Sequence, residues 1–133
     1  MNPNYSLVAL RARHRCEYCH APESVFNFPF EVEHIIPLTR EGANDESNLA
    51  LACRSCNIYK GSSIIGVDPA TDTAAPLFHP REQDWESNFV IDMTTGMIVG
   101  LSASACATII RLRMNSQAQV MARQQWIVLG LFP

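Results

Sequence analysis

Two Cys-x-x-Cys pairs, Cys16-Glu17-Tyr18-Cys19 and Cys53-Arg54-Ser55-Cys56, stand 33 residues apart in a chain of 133. The spacing lets both sulfurs of a tight knuckle reach one ion. Two such knuckles supply the four thiolates of a tetrahedral zinc site. The intervening segment must then leave the ion and return to it, which limits the fold to a small closed unit. A redox Cys-x-x-Cys is the other use of such a pair. It needs only one pair and a thioredoxin-like βαβ context, and that context is absent. Four protein thiolates leave no open coordination position, so the expected zinc is structural and does not activate water. His14 and His20 flank the first knuckle and are the alternative ligands; surface positions are the simpler expectation for both.

Between the knuckles lies Glu33-His34-Ile35-Ile36-Pro37. Histidine is a base near neutral pH, and in-line hydrolysis of a phosphodiester needs a base to take a proton from water. A hard divalent ion on oxygen ligands can hold the phosphate and stabilise the leaving oxygen, and Glu33 offers such an oxygen. Glu-His dipeptides are common, and spacing alone fits a strand-end histidine held by local hydrogen bonds equally well. Neighbouring strand residues point to opposite faces, so the two side chains share a site only where the strand ends. Pro37 predicts such an end.

Apolar residues make up 47% of the chain and charged residues 17%, enough apolar content to bury a core. No run reaches the roughly 18 apolar residues of a membrane span. Arg11, Arg13 and Arg15 follow only a short apolar run, so no signal-peptide core precedes them. The expectation is a cytoplasmic chain without a membrane partner, in which cysteine pairs serve as metal ligands. A net charge of -3 counts against nucleic-acid binding. The distribution is uneven, however: Arg11, Arg13 and Arg15 precede the first knuckle, and Arg54 and Lys60 flank the second. These form either a basic rim or solvated helix faces.

Hydrophobic patterning predicts a helix over 5–15, a strand over 26–36, a second strand over 49–52 and a short helix over 55–60 stopped at Gly61. Residues 62–80 read as irregular. A hairpin follows across Thr94-Thr95-Gly96, then helices over 104–114 and from 116, the latter opened by the capping box Ser116-Gln117-Ala118-Gln119. Cys106 reads as a buried thiol. Trp85, Trp126, Met93, Met97, Met114 and Met121 read as core or interface. The fold class is α+β: a zinc-stabilised core over 1–61 and an extension of hairpin and two helices over 62–133.

The run Val32 to Leu38, followed by Asn48-Leu49-Ala50-Leu51-Ala52-Cys53-Arg54-Ser55-Cys56-Asn57-Ile58-Tyr59-Lys60-Gly61, resembles the HNH endonuclease family of ββα-metal nucleases, in its four-cysteine zinc-knuckle subgroup. The resemblance implies a role for each matching residue. His34 would be the general base, Glu33 an acidic metal ligand where relatives often have aspartate, and Asn48 the residue that ties the loop and keeps the base oriented. Asn57 would complete the metal site, making this an H-N-N variant; oxygen donors favour Mg²⁺ or Mn²⁺. Lys60 is a candidate phosphate contact or a solvated helix-end lysine, and Arg54 and Arg15 are candidate nucleic-acid contacts. Leu77-Phe78-His79-Pro80-Arg81, followed by Trp85 and Phe89, resembles a tail of some stand-alone bacterial HNH proteins and is expected to pack on the core.

The implied activity is metal-dependent cleavage of DNA, with structural zinc and catalytic Mg²⁺ or Mn²⁺. One site cuts one strand, so a double-strand break needs two events or a homodimer. The alternative is a zinc-stabilised nucleic-acid-binding module without catalysis.

Overall fold

The structure is a computed structural model describing residues 1–133. Helix α1 spans Tyr5–Arg11 and ends four residues before the sequence pattern suggests. Arg13 and His14 both take left-handed backbone (φ 55°), and the His14 N–H returns to the Ala9 carbonyl at 2.8 Å. That bond closes the last turn and reverses the chain into the first knuckle.

Strand β1, Glu31–His34, pairs antiparallel with β2, Leu49–Ala52, placing Glu33 opposite Ala50 and His34 opposite Leu49. The expected strand over 26–36 is thus cut to four residues. At its start the cause is Glu23, whose carboxylate draws the Phe30 N–H (2.7 Å) out of ladder pairing, and at its end the Ile36 N–H is taken by the Asn48 side chain (2.8 Å). Phe28 is left outside at 73% exposure while Phe30 is buried. All four residues of β2 are buried, because α1 packs on it and so does α2, Arg54–Lys60.

Glu23 also accepts from the Tyr5 hydroxyl (2.8 Å) and His14 Nδ1 (2.7 Å), so one carboxylate joins α1, the chain reversal and the approach to β1. Burial pushes this carboxyl up, but the Phe30, His14 and Tyr5 hydrogen bonds outweigh it and hold it below its ordinary 4.5. A depressed folded-state value stabilises above the unfolded value and is lost as pH falls through the folded one. Glu23→Gln should therefore lose about 1–3 kcal/mol at pH 7. Below about pH 4.5 the gap to wild type should close. Urea melts of both proteins at pH 7 and in acid check this; a constant gap would refute it.

Residues 62–80, expected to be irregular, contain a hairpin of β3, Ile65–Asp68, and β4, Thr73–Pro76. Its turn is built by Asp68, whose carboxylate accepts from the Ala70 N–H (3.0 Å) and the Thr71 hydroxyl (3.2 Å). Gly66 lies within the strand because a Cβ there would come within 3.2 Å of the Ala107 carbonyl. Its bareness lets α4, Ala103–Arg111, settle on the hairpin.

The short helix α3, Trp85–Asn88, leads into the hairpin β5, Phe89–Ile91, and β6, Ile98–Gly100, turning at Gly96 as expected. In α5, Gln117–Val128, the Ser116 hydroxyl caps the Gln119 N–H. Arg123 from α5 is fully buried and donates to the carbonyls of Gly96 (2.7 Å) and Met114 (2.8 Å), fastening α5 to the hairpin turn. Cys106 is half-buried instead of buried, with its sulfur against the Gly100 carbonyl. Of the four methionines assigned to core or interface, Met114 is buried and Met93, Met97 and Met121 are exposed. The result is an α+β fold whose β1–β2–α2 unit carries the candidate site.

Candidate active site and zinc knuckle

The four sulfurs of Cys16, Cys19, Cys53 and Cys56 lie within 4.8 Å of one another, all on buried residues. Cys19 and Cys53 are 3.7 Å apart at sulfur. A tetrahedron with Zn–S bonds of about 2.3 Å has edges of about 3.8 Å, so the cluster fits a structural zinc. Mutual hydrogen bonding pushes the Cys19 and Cys56 thiols up and the Cys53 thiol down. A divalent ion would hold all four as thiolates. Cys53 is also the N-cap of α2, its sulfur accepting the Cys56 N–H at 3.4 Å. Neither histidine joins the cluster: His14 binds Glu23, and His20 stacks on Trp85 with ring centroids 3.8 Å apart.

Glu33 turns inward and is 8% exposed. One oxygen accepts from the Tyr18 hydroxyl and the other from Lys60 Nζ at 3.0 Å. Lys60 is 1% exposed and also donates to the Ile35 carbonyl at 2.9 Å. This corrects the expectation of a phosphate contact: the ammonium is a buried counter-ion and does not reach the surface. Burial pushes the Glu33 carboxyl up, opposed by the Lys60 charge and the Tyr18 hydrogen bond. Tyr18 was missed because only its setting between two zinc cysteines marks it, and that setting gives no direction to its hydroxyl.

His34 faces the other way and is half-exposed, as strand alternation requires. Its Nε2 lies 2.9 Å from Asn44 Oδ1. Asn48 is 4% exposed and holds the intervening loop closed. Its Oδ1 accepts the Ile36 N–H and its Nδ2 donates to the carbonyls of Ile36 and Ala43, each at 2.8 Å. Gly42 lies so close to the Ile36 carbonyl that a Cβ would overlap it at 1.8 Å. The loop carrying Asn44 is thus pinned on both sides of Gly42. Asn44 was missed because a loop asparagine has no periodic signal. A cleft of about 320 Å³ brings together Glu33, His34 and Asn57 with Pro37, Thr39 and Ser62. Two adjacent strand residues share it because β1 ends at His34.

The remaining basic residues lie elsewhere. Arg54 is exposed at the start of α2, and neither it nor Arg15 lines the His34 cleft. Arg15 donates to the carbonyls of His20 (3.2 Å) and Leu131 (3.1 Å). The Leu77–Arg81 stretch does pack on the first knuckle. Arg81 forms an ion pair with Glu17, and the Trp85 indole donates to the Tyr18 carbonyl at 2.8 Å.

No curated protein and no solved structure matches the chain significantly. A match is found to the family model described as HNH endonuclease, covering residues 16–63. The matched segment opens at the first zinc cysteine and closes just past α2, so it holds both knuckles, β1, β2 and every residue of the cleft. Residues 16–63 thus match the HNH endonuclease model, and their four clustered cysteines are consistent with its zinc-knuckle subgroup.

Proposed function

We propose that the chain is a metal-dependent DNA endonuclease in which His34 takes the proton from the attacking water. The observation that carries this reading is the loop-held histidine at the cleft. With Asn44 Oδ1 accepting from Nε2–H, the Nδ1 lone pair is left to accept a proton. Asn48 acts at one remove, fixing the loop peptide that presents Asn44.

Glu33 and Asn57 would hold Mg²⁺ or Mn²⁺. The donor set fits: a carboxylate offers about four lone-pair sites, and Tyr18 and Lys60 take two. Such an ion supplies charge stabilisation for the phosphate and the leaving 3′ oxygen. Lys60 beside the same carboxylate lowers the site's negative charge, which suits a weakly held, exchangeable ion. The HNH resemblance implies 5′-phosphate and 3′-hydroxyl ends, with one strand cut per event.

Nicking of supercoiled plasmid with Mg²⁺ or Mn²⁺ tests the proposal. His34→Ala should lower kcat by about 10²–10⁴-fold. Asn44→Leu should lower kcat by about tenfold with KM unchanged, and Asn44→Asp, which keeps the acceptor, should restore most of it. Equal behaviour of wild type and His34→Ala would end the enzyme reading. One observation favours the second reading, a nucleic-acid-binding module that does not cut. Lys60 already neutralises Glu33, and under that reading DNA is bound at every metal concentration and never nicked.

A further inference from the structure

Arg11, Arg13 and Arg15 alternate along the sequence, and residues two apart on a continuous helix do not share a face. Here they do converge. Helix α1 stops at Arg11, and the left-handed pair Arg13 and His14 swings the chain round, in a conformation unfavourable for residues with side chains. All three arginines then line one open cleft of about 460 Å³, walled by His20 and Trp85. It shares no residue with the His34 cleft.

The charge in this cleft is only partly compensated by acidic side chains. Glu17 lines it, but its carboxylate is taken by Arg81 and by the Leu51 N–H at 2.9 Å. Glu86 is the one other acidic side chain in the lining, so among side chains three guanidinium charges less one carboxylate leave an excess of +2. That excess sits on a chain whose net charge is -3. Arg11 and Arg15 are held in place by backbone carbonyls: Glu46 (2.9 Å) and Leu49 (2.6 Å) for the first, His20 and Leu131 for the second. Those bonds orient the guanidinium groups without cancelling their charge. With five N–H donors each, they keep donors to spare. Arg13 is exposed and spends no side-chain hydrogen bond on the protein.

We propose that this cleft binds the phosphodiester backbone of a nucleic acid as a second contact, separate from the His34 cleft. The choice of nucleic acid among polyanions rests on the nuclease reading of the HNH domain. Guanidinium groups on three residues around an open cleft suit a passing polymer backbone better than a single enclosed phosphate. Contacts of this kind position a strand without reading its sequence.

The test is binding of a fluorescent 20-base-pair DNA duplex to the full chain carrying His34→Ala, so that cleavage plays no part. Each phosphate contact contributes a salt slope of about 0.9, which amounts to about eightfold in affinity at 0.1 M salt. Arg13→Gln should weaken binding about eightfold and reduce the salt slope by about one. Arg111→Gln removes the same charge outside this cleft and should change neither. Thermal melting confirms that both variants fold. Equal binding by the two variants, equal losses, or no binding by the parent would overturn the site. Pyrophosphate binding as tightly as the duplex and lost with Arg13→Gln would do the same, showing a small-anion site. The plasmid assay on wild type is read separately, so the nuclease reading stands or falls apart from this result.

Discussion

Serine at both Cys53 and Cys56 should unfold the chain. The expected product has no zinc, no cooperative melt and no slow-exchanging amides, while the parent carries one tightly bound zinc. Structural zinc contributes on the order of 10 kcal/mol or more at neutral pH, as much as the whole stability of a typical domain of about 5–15 kcal/mol. The structure shows why the loss would spread. Cys53 caps α2, and Cys56 lies inside that helix, one residue before Asn57. The partner knuckle carries Tyr18, whose hydroxyl reaches Glu33 and whose carbonyl receives the Trp85 indole. Without the ion, both ends of the β1–β2–α2 unit and the seat of the extension come loose together. Elemental analysis and circular dichroism, with Cys106→Ser as a control expected to change little, check this result. A zinc-free chain that still melts cooperatively would refute the knuckle.

What could be read from residues alone follows from how local each signal is. The knuckles, α2 with its Gly61 stop and the Ser116 cap are written in residues a few positions apart, and the structure contains all of them. The β3–β4 hairpin was hidden because its glycine and prolines read as breakers. Gly66 is there to admit α4, a contact some 40 residues away in sequence. Strand β1 was overextended because nothing local shows that Glu23 captures the Phe30 N–H. The same limit governs the site. Glu33 and His34 stand out as a carboxylate beside a base, and Asn48 and Asn57 are named only through the resemblance to the HNH family. Asn44 and Tyr18 could not be named, since their relevance depends on which way a loop and a knuckle turn. The arginines before the first knuckle were legible as a cluster, but their separation from His34 was not, because it depends on two left-handed residues with no glycine to mark them.

The buried Lys60–Glu33 pair gives the second large effect. Lys60→Met keeps much of the lysine's volume and leaves the Glu33 carboxylate enclosed without a counter-ion, so it should lose about 3–5 kcal/mol. For a chain of this size that lowers the melting temperature by roughly 11–18 °C. Adding Glu33→Gln removes the stranded charge and keeps an acceptor for Tyr18, so the double variant should regain most of the loss. This pattern separates the two roles open to Lys60. A lysine that only contacts DNA would leave the melting temperature unchanged on substitution and would show itself in the salt dependence of binding. A lysine that neutralises Glu33 shows itself in stability, and in the recovery of the double variant. That recovery should not extend to nicking, because the glutamine cannot replace the carboxylate proposed to hold the divalent ion. Stability regained without activity would place Glu33 in both the scaffold and the reaction. Activity regained along with stability would assign Glu33 to the scaffold alone, with the metal resting on Asn57 and other groups of the cleft.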